Sequence, residues 1–417
     1  MLKMIRILET RQMGRLLSRR TARMSEAEAV VRPILEAVRK RGDKALLVYA
    51  RKFDRLERKS VRVPERELAA ACEKLSPEFR MAVETASANI RAFAKMQMPA
   101  EWSSEAAPGL RLGQILRPQD TVAAYIPAGR YPLPSTLMMT AIPAQVAGVQ
   151  RVCVACPRPV VEILGTARLL AIPDVFQMGG AQAIAAFAFG TRTVPKADRI
   201  VGPGNIYVAA AKKLLAGEAG IDFVAGPTEI LIIASEGKPE FLAADMLAQA
   251  EHDADACAIL LTTSKKLAGA VAEEIERQLR TLPTAAVAKQ AIRRNSAIVV
   301  VRSLDEAIEI ANRFAPEHLS IPDEALLEKV NHAGSVFVGP FSPEAAGDYA
   351  SGPNHVLPTS GAARLRGGLS VMDYLKVISV QQLSPEALHR LAPAIITLAR
   401  AEGLEAHARS VEVRSRG

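Results

Sequence analysis

Aromatic residues make up only 4% of the 417-residue chain, and cysteine occurs just four times. The first scarcity means that a hydrophobic core must be built from Ala, Leu, Val and Ile. The second excludes a disulfide-stapled secreted scaffold and points to a reducing cytoplasm. Long apolar runs are missing too. None approaches the ~20 residues needed to cross a bilayer, and no charged segment followed by an apolar stretch opens the chain, so a soluble, unexported protein is expected. Cys153 and Cys156 spell C-x-x-C, but no second pair exists to complete a zinc site. Val152-Cys153-Val154-Ala155-Cys156 reads instead as a buried strand whose alternate side chains face opposite ways.

Charge of one sign does not dominate: 53 Lys and Arg against 44 Asp and Glu give a net +9. Part of the excess sits in Arg6, Arg11, Arg15, Arg19, Arg20 and Arg23. Nucleic-acid modules pair such patches with groove-reading helices or stacking aromatics, and neither pattern is legible here. A solvated basic helix is expected, with no nucleic-acid or membrane partner. The positive field suits an anionic substrate or cofactor.

What is present is length and periodicity. The chain exceeds what one hydrophobic core supports, so at least two folding units are expected. Apolar residues recur at helical spacing from Met24 to Phe53 and from Glu65 to Met98. After Leu110 the pattern changes to short apolar strands (Val122–Ile126, Arg151–Cys156, Val175–Met178, Arg199–Val201, Ile230–Ala234) separated by helical stretches. The alternation resumes with strands near Ala258–Thr262, Ala297–Val301 and Ser335–Val338. Parallel strands joined by crossover helices follow from this grammar, in two β/α blocks dividing near Glu236–Lys238. Pro143 predicts a kink in the helix beginning at Thr136. Ser384 to Val413 reads as helix, with Leu388, Leu391, Ile395 and Leu398 on its apolar side.

Chemistry-bearing side chains gather in five runs rich in turn residues. They are Pro203-Gly204-Asn205, Ala225-Gly226-Pro227-Thr228-Glu229, Gln249-Ala250-Glu251-His252, Ala315-Pro316-Glu317-His318-Leu319, and Ser342 to Thr359 with its Asp348, Tyr349, Asn354 and His355. Only six histidines occur, and His332 and His389 carry no signal of function. His355 lies in the last of these runs and receives no role. Gln249 and His252 share one helix face at i, i+3 spacing, a weak signal alone. Glu317-His318 sets an acid beside a base, or is merely a charged turn before a strand at Leu319–Ile321. Gly202-Pro203-Gly204-Asn205-Ile206-Tyr207 follows a strand and opens a helix as phosphate-binding turns do, yet Tyr207 stands where the dinucleotide fingerprint needs Gly or Ala.

In this order the five runs resemble those of the histidinol dehydrogenases, zinc enzymes that oxidise L-histidinol through L-histidinaldehyde to L-histidine with NAD. The resemblance implies an α/β fold of two Rossmann-like β/α domains with parallel-rich sheets, small helical N- and C-terminal extensions, and a swapped homodimer. The corresponding boundaries are 1–23 for the N-terminal helical extension, 24–124 with 236–380 for the first α/β domain, 125–235 for the NAD-binding domain, and 381–417 for a helical tail serving the partner's site. It further implies one zinc per subunit on Gln249, His252, Asp348 and His407. Substrate contacts carry over to Thr228, Gln249, His252, His318, Asp348, Glu402 and His407, and NAD contacts to Tyr125, Gln182 and Asn205. His318 is then the general base and Glu317 the residue that activates water.

Two departures stand out: Thr228 replaces the family's usual Ser, and Ala128-Gly129-Arg130 replaces its common Gly-Gly-Lys. The alternatives are a paralogous zinc and NAD dehydrogenase of another polyol, such as a sulfonated propanediol, and a non-catalytic basic binding protein on the same scaffold.

Overall fold

The protein is described here from a computed structural model covering residues 4–12, 24–128, 131–224 and 226–415. Arg15, Arg19, Arg20, Arg23, Gly129, Arg130 and Ala225 lie outside the described residues. The chain divides into two compact units, Met1–Gln97 with Asp120–Tyr374, and Met98–Gln119 with Leu375–Gly417.

The first unit opens with strand β1 (Arg6–Glu9) and helices α1 (Met24–Arg41), α2 (Asp43–Asp54), α3 (Glu65–Glu73) and α4 (Pro77–Met96). Each helical stretch read from periodicity is thus two helices. Gly42, at φ +50°, breaks the first, and Ser76, whose hydroxyl accepts from Phe79 N ahead of Pro77, starts the last. Arg6–Glu9 is a strand, not part of a helical extension: it pairs in parallel with β11, defined below, and so belongs to a sheet.

After β2 (Trp102–Ala107) and β3 (Leu110–Pro118) the chain alternates regularly. In order come β4 (Thr121–Tyr125), α5 (Pro134–Ala147), β5 (Arg151–Ala155), α6 (Val161–Leu169), β6 (Asp174–Phe176), α7 (Gly180–Phe189), β7 (Arg199–Val201), α8 (Ile206–Leu215) and β8 (Gly220–Ile221). A second run follows with β9 (Glu229–Ile233), α9 (Pro239–Ala250), β10 (Cys257–Thr262), α10 (Lys265–Gln278), α11 (Ala285–Asn295), β11 (Ala297–Val300), α12 (Leu304–Phe314), β12 (His318–Ile321), β13 (Ser335–Val338) and α13 (Glu344–Tyr349). Pro143 does lie inside helix α5.

All strands of the first run join in a parallel five-stranded sheet ordered β6-β5-β4-β7-β8. The second run forms a parallel sheet ordered β11-β10-β9-β12-β13, with β1 added beside β11. Counted within each run, both orders read 3-2-1-4-5, the doubly wound arrangement in which the sheet reverses direction of growth beside its first strand. Period-2 geometry separates the core faces of the larger sheet. Ile230, Ile232, Ala258 and Leu260 pack toward α9, α10 and α11, while Leu231, Ile233, Ile259 and Leu261 pack toward α12.

Two expected boundaries move. The sheets change between β8 and β9, some residues before Glu236, and residues 24–61 pack with the five-stranded sheet through Val31, Leu35, Leu46 and Val61, not with the larger one. The reason is the apolar face of α1 and α2, which is covered by α7 and α8.

The second unit is an antiparallel sheet ordered β14-β3-β2 with β14 at Leu375–Leu383, followed by helices α14 (Pro385–Ala401) and α15 (Glu405–Ser415). Leu375 pairs with Pro118 and the register runs unbroken to Leu383 with Leu110. The tail is therefore larger than the helical segment expected from 381 onward, since it recruits residues 98–119. Val377, Ile378, Val380 and Leu398 remain exposed on it.

Candidate active site

β9 and β12 are neighbours at the centre of the six-stranded sheet, and His318 pairs in register with Ile230. Thr228-Glu229 and Glu317-His318 therefore meet at the amino ends of these two strands. A crossover helix between parallel strands must run back against them, so the last turn of α9 returns to the same edge. It delivers Gln249 and, just past the helix, His252. Partial negative charge at that helix end favours a cation beside His252.

His318 is 3% exposed and Glu317 6%. Glu317 Oε2 accepts from Thr228 Oγ1 at 2.5 Å and from Glu229 N at 2.8 Å. Burial pushes the Glu317 carboxyl above its ordinary range, against the pull of His318, Thr228 and the Glu229 amide. The Gln249 amide is oriented by its neighbours. With its nitrogen toward Glu344 it donates at 2.6 and 2.9 Å, and its oxygen then faces Thr228 Oγ1 at 2.5 Å and Glu229 N at 3.1 Å. Thr228 has one hydroxyl proton for two acceptors, Glu317 and Gln249. It can serve only one of them at a time.

The His318 ring is fixed at one nitrogen and open at the other. Nδ1 lies 3.2 Å from the Glu229 carbonyl oxygen, while Nε2 is buried without a hydrogen-bond partner. Asp348 Oδ1, at 3.7 Å, is at ion-pair distance from Nε2 and too far for a hydrogen bond. With Nδ1 turned to the carbonyl, Nε2 is the nitrogen left to exchange a proton, the position a general base uses. Burial alone would lower the imidazole pKa, but Glu317, Glu344 and Asp348 outweigh it and hold the ring's pKa at about 10.

Asp348 arrives on α13. A Cβ on Gly347 would lie 2.7 Å from the Phe337 ring, so a larger residue there would push on that ring. Phe337 in turn lies against His318, with ring centroids 5.9 Å apart. Behind the ligand loop, His355 Nδ1 is 2.7 Å from the Asp348 carbonyl oxygen and its Nε2 is 3.1 Å from Thr136 Oγ1. His355 thus holds the Asp348 backbone.

His252, Glu344 and Asp348 offer three ligand atoms all within 4.8 Å of one another. One imidazole nitrogen and two carboxylate oxygens suit zinc in kind and spacing. Glu344 was not anticipated from sequence, though it lies four residues before Asp348 and so shares its helix face. Buried Glu344 also ties Gln249 to this cluster, and burial drives its carboxyl well above the ordinary range. Of the four expected metal ligands, His252 and Asp348 come together directly and Gln249 reaches them through Glu344. His407, on α15, and Glu402, which caps α14, belong to the second unit and are exposed there.

The expected nucleotide residues lie at the five-stranded sheet. Tyr125 ends β4 and Asn205 follows β7, so they flank the position where the strand order reverses, the usual ligand crevice of a doubly wound sheet. Tyr125 Oη accepts from Gly180 N at 3.1 Å. Gln182 is buried and donates to Asp54 Oδ2 at 3.0 Å, while Gly179 N donates to the same oxygen at 2.9 Å. Asp54, 125 residues away from Gly179, has no signal in the sequence. Asn205 Oδ1 accepts from Tyr207 N and Val208 N, both at 3.1 Å. The first amides of α8 are thus taken by their own cap, and anion capture by that helix end is not the role the geometry gives Asn205.

Cys153 lies within β5 and Cys156 just after it, and burial pushes both thiols up to about 12. They are inert packing residues, as the strand pattern implied.

Residues 17–415 match the family model described as histidinol dehydrogenase. The chain is 47% identical over 401 residues to the histidinol dehydrogenase of Geobacter sulfurreducens, covering 93% of each chain. It is 43% identical over 427 residues to that of Methanothermobacter thermautotrophicus, covering 100% of both. The crystal structure of histidinol dehydrogenase from Elizabethkingia anophelis superposes with a TM-score of 0.95 at 37% identity, covering 99% of this chain and 98% of that one. On these matches over nearly its whole length, the chain belongs to the histidinol dehydrogenase family.

Proposed function

We infer that the protein oxidises L-histidinol through L-histidinaldehyde to L-histidine with NAD, the last step of histidine biosynthesis. One observation carries the reading. A buried imidazole with a free Nε2 stands between a buried carboxyl and the His252, Glu344 and Asp348 cluster. His318 takes the alcohol proton as the carbinol carbon is oxidised, Glu317 draws a proton from the water that hydrates the aldehyde, and His318 takes a proton from the hydrate in the second oxidation. NAD, when bound, accepts a hydride at each oxidation, and Tyr125, Gln182 and Asn205 are the residues that would position it. Zinc, held by His252 and Asp348 with Glu344 or Gln249, would orient the substrate's imidazole and amino nitrogens and offset the carboxylate charge that raises the His318 pKa.

Exposed Val377, Ile378, Val380 and Leu398 on the second unit support a homodimer, since apolar side chains left in solvent gain from burial against a partner. In that assembly the tail's Glu402 and His407 would serve the neighbouring copy. No described helix is long and apolar enough to cross a membrane; the cytoplasmic location is proposed from the biosynthetic reaction inferred above.

Purified protein with zinc, NAD and L-histidinol should form two NADH per substrate molecule. Chelation should abolish turnover and added zinc restore it. NADH from a sulfonated propanediol but none from histidinol would overturn the substrate assignment.

A further inference from the structure

Lys212 and Asp222 form an ion pair with side chains only 3% and 1% exposed, their charged atoms 2.7 Å apart. Burying two charges is costly, and a well-packed apolar pair would often serve stability as well, so the pair calls for another role. Its hydrogen bonds converge on one residue. Lys212 Nζ donates to the Gly202 carbonyl oxygen at 2.5 Å, and Asp222 Oδ2 accepts from Gly202 N at 2.7 Å. Opposite members of the pair therefore grip the two polar groups of one glycine.

Gly202 is where β7 hands over to the Gly202-Pro203-Gly204-Asn205 turn. Its φ is +107°, and a Cβ there would lie 2.2 Å from the Tyr125 carbonyl oxygen. It thus touches the end of β4 at the point where the strand order reverses. Asp222 is itself anchored, because its carbonyl oxygen accepts from Arg366 Nη1 at 2.8 Å. Arg366 donates to both oxygens of Asp373 at 2.7 Å and lies over the Phe223 ring. Apolar packing could fill this space but could not orient a peptide; two opposite charges on its N–H and C=O can.

The geometry points to Lys212 and Asp222 as positioning residues for the dinucleotide turn: they fix the Gly202 peptide so that Tyr125 and Asn205 flank the cofactor crevice in one arrangement. This rests on the reading of Gly202–Asn205 as the NAD side of the site. It assigns the pair to cofactor affinity and not to histidinol binding or proton transfer.

The test uses the full-length enzyme and the variants Lys212→Met and Asp222→Asn. The KM for NAD, the KM for histidinol, kcat and Tm are measured, together with NAD binding by calorimetry. A KM for NAD raised about tenfold or more, with the KM for histidinol within twofold of wild type, is the expected result. Arg366→Gln, at a partly exposed position, should raise the NAD KM about threefold and keeps the question answerable if the buried variants are insoluble. A lowered Tm with an unchanged NAD KM would mean that the pair serves stability alone and would overturn the assignment. So would a parallel rise in both KM values. Should wild type bind NAD yet leave histidinol unoxidised, the substrate reading fails, and the variants' NAD affinities still decide the role of the pair.

Discussion

Replacing Thr228 with Val keeps the shape of the side chain and deletes the hydroxyl that lies 2.5 Å from both Glu317 and Gln249. Glu317 would retain one donor, Glu229 N, and Gln249 would lose the contact that orients its oxygen. The two losses share a single hydroxyl proton, so they are counted as one hydrogen bond to an ionisable group, about 1.5–3 kcal/mol. At 1.36 kcal/mol per decade this is roughly a 10- to 150-fold fall in kcat/KM for histidinol. Thr228→Ser keeps the hydroxyl and restores the family's usual residue, so it should stay within about threefold of wild type. NADH formation under saturating NAD reads both variants, with circular dichroism to verify folding. A Val variant within threefold of wild type, or a Ser variant as damaged as Val, would refute the claim that this hydroxyl organises the site.

Glu317→Gln should slow turnover of histidinol more than single oxidation of added histidinaldehyde hydrate, while His318→Asn should slow both by about 100-fold or more, the scale of lost general-base catalysis; stopped-flow NADH traces separate the steps. Burial raises the Asp245 carboxyl on α9 from 3.8 to about 6. The folded state therefore prefers the protonated form, a preference fully present below pH 3.8 and lost as pH rises through 6. Asp245→Asn should accordingly add at most about 3 kcal/mol at pH 8 and little at pH 4; urea midpoints in chelator at the two pH values check it, and an equal gain at both would refute the burial argument.

The parallel strands were legible because residues such as Ile230–Ile233 and Ala258–Leu261 are buried on both faces and leave continuous apolar runs. The antiparallel sheet was not. Trp102–Ala107 is exposed throughout and Leu375–Leu383 nearly so, which leaves no alternation to read. Arg6–Glu9 was hidden for a similar reason, as a short edge strand beside basic residues. In the site, Glu317, His318, His252 and Asp348 stood out through turn-rich context and family likeness. Glu344 offered only a four-residue helical spacing, and Asp54 and the Lys212–Asp222 grip arise from contacts that only folding creates. Placement of the division between sheets failed because the segment after β8 carries no composition shift.

Both sheets share one winding order, yet opposite rims carry the residues of the proposed site: strand ends carry Tyr125 and Asn205 in one, strand beginnings carry Glu229 and His318 in the other. The connections leaving β9, β10, β11 and β12 from the far rim of the larger sheet are consequently free of catalytic duty. Peptide tags grafted at the exposed Glu236–Lys238 after β9 should be tolerated there, whereas lengthening the approach to Glu229 or His318 would shift the reacting groups themselves.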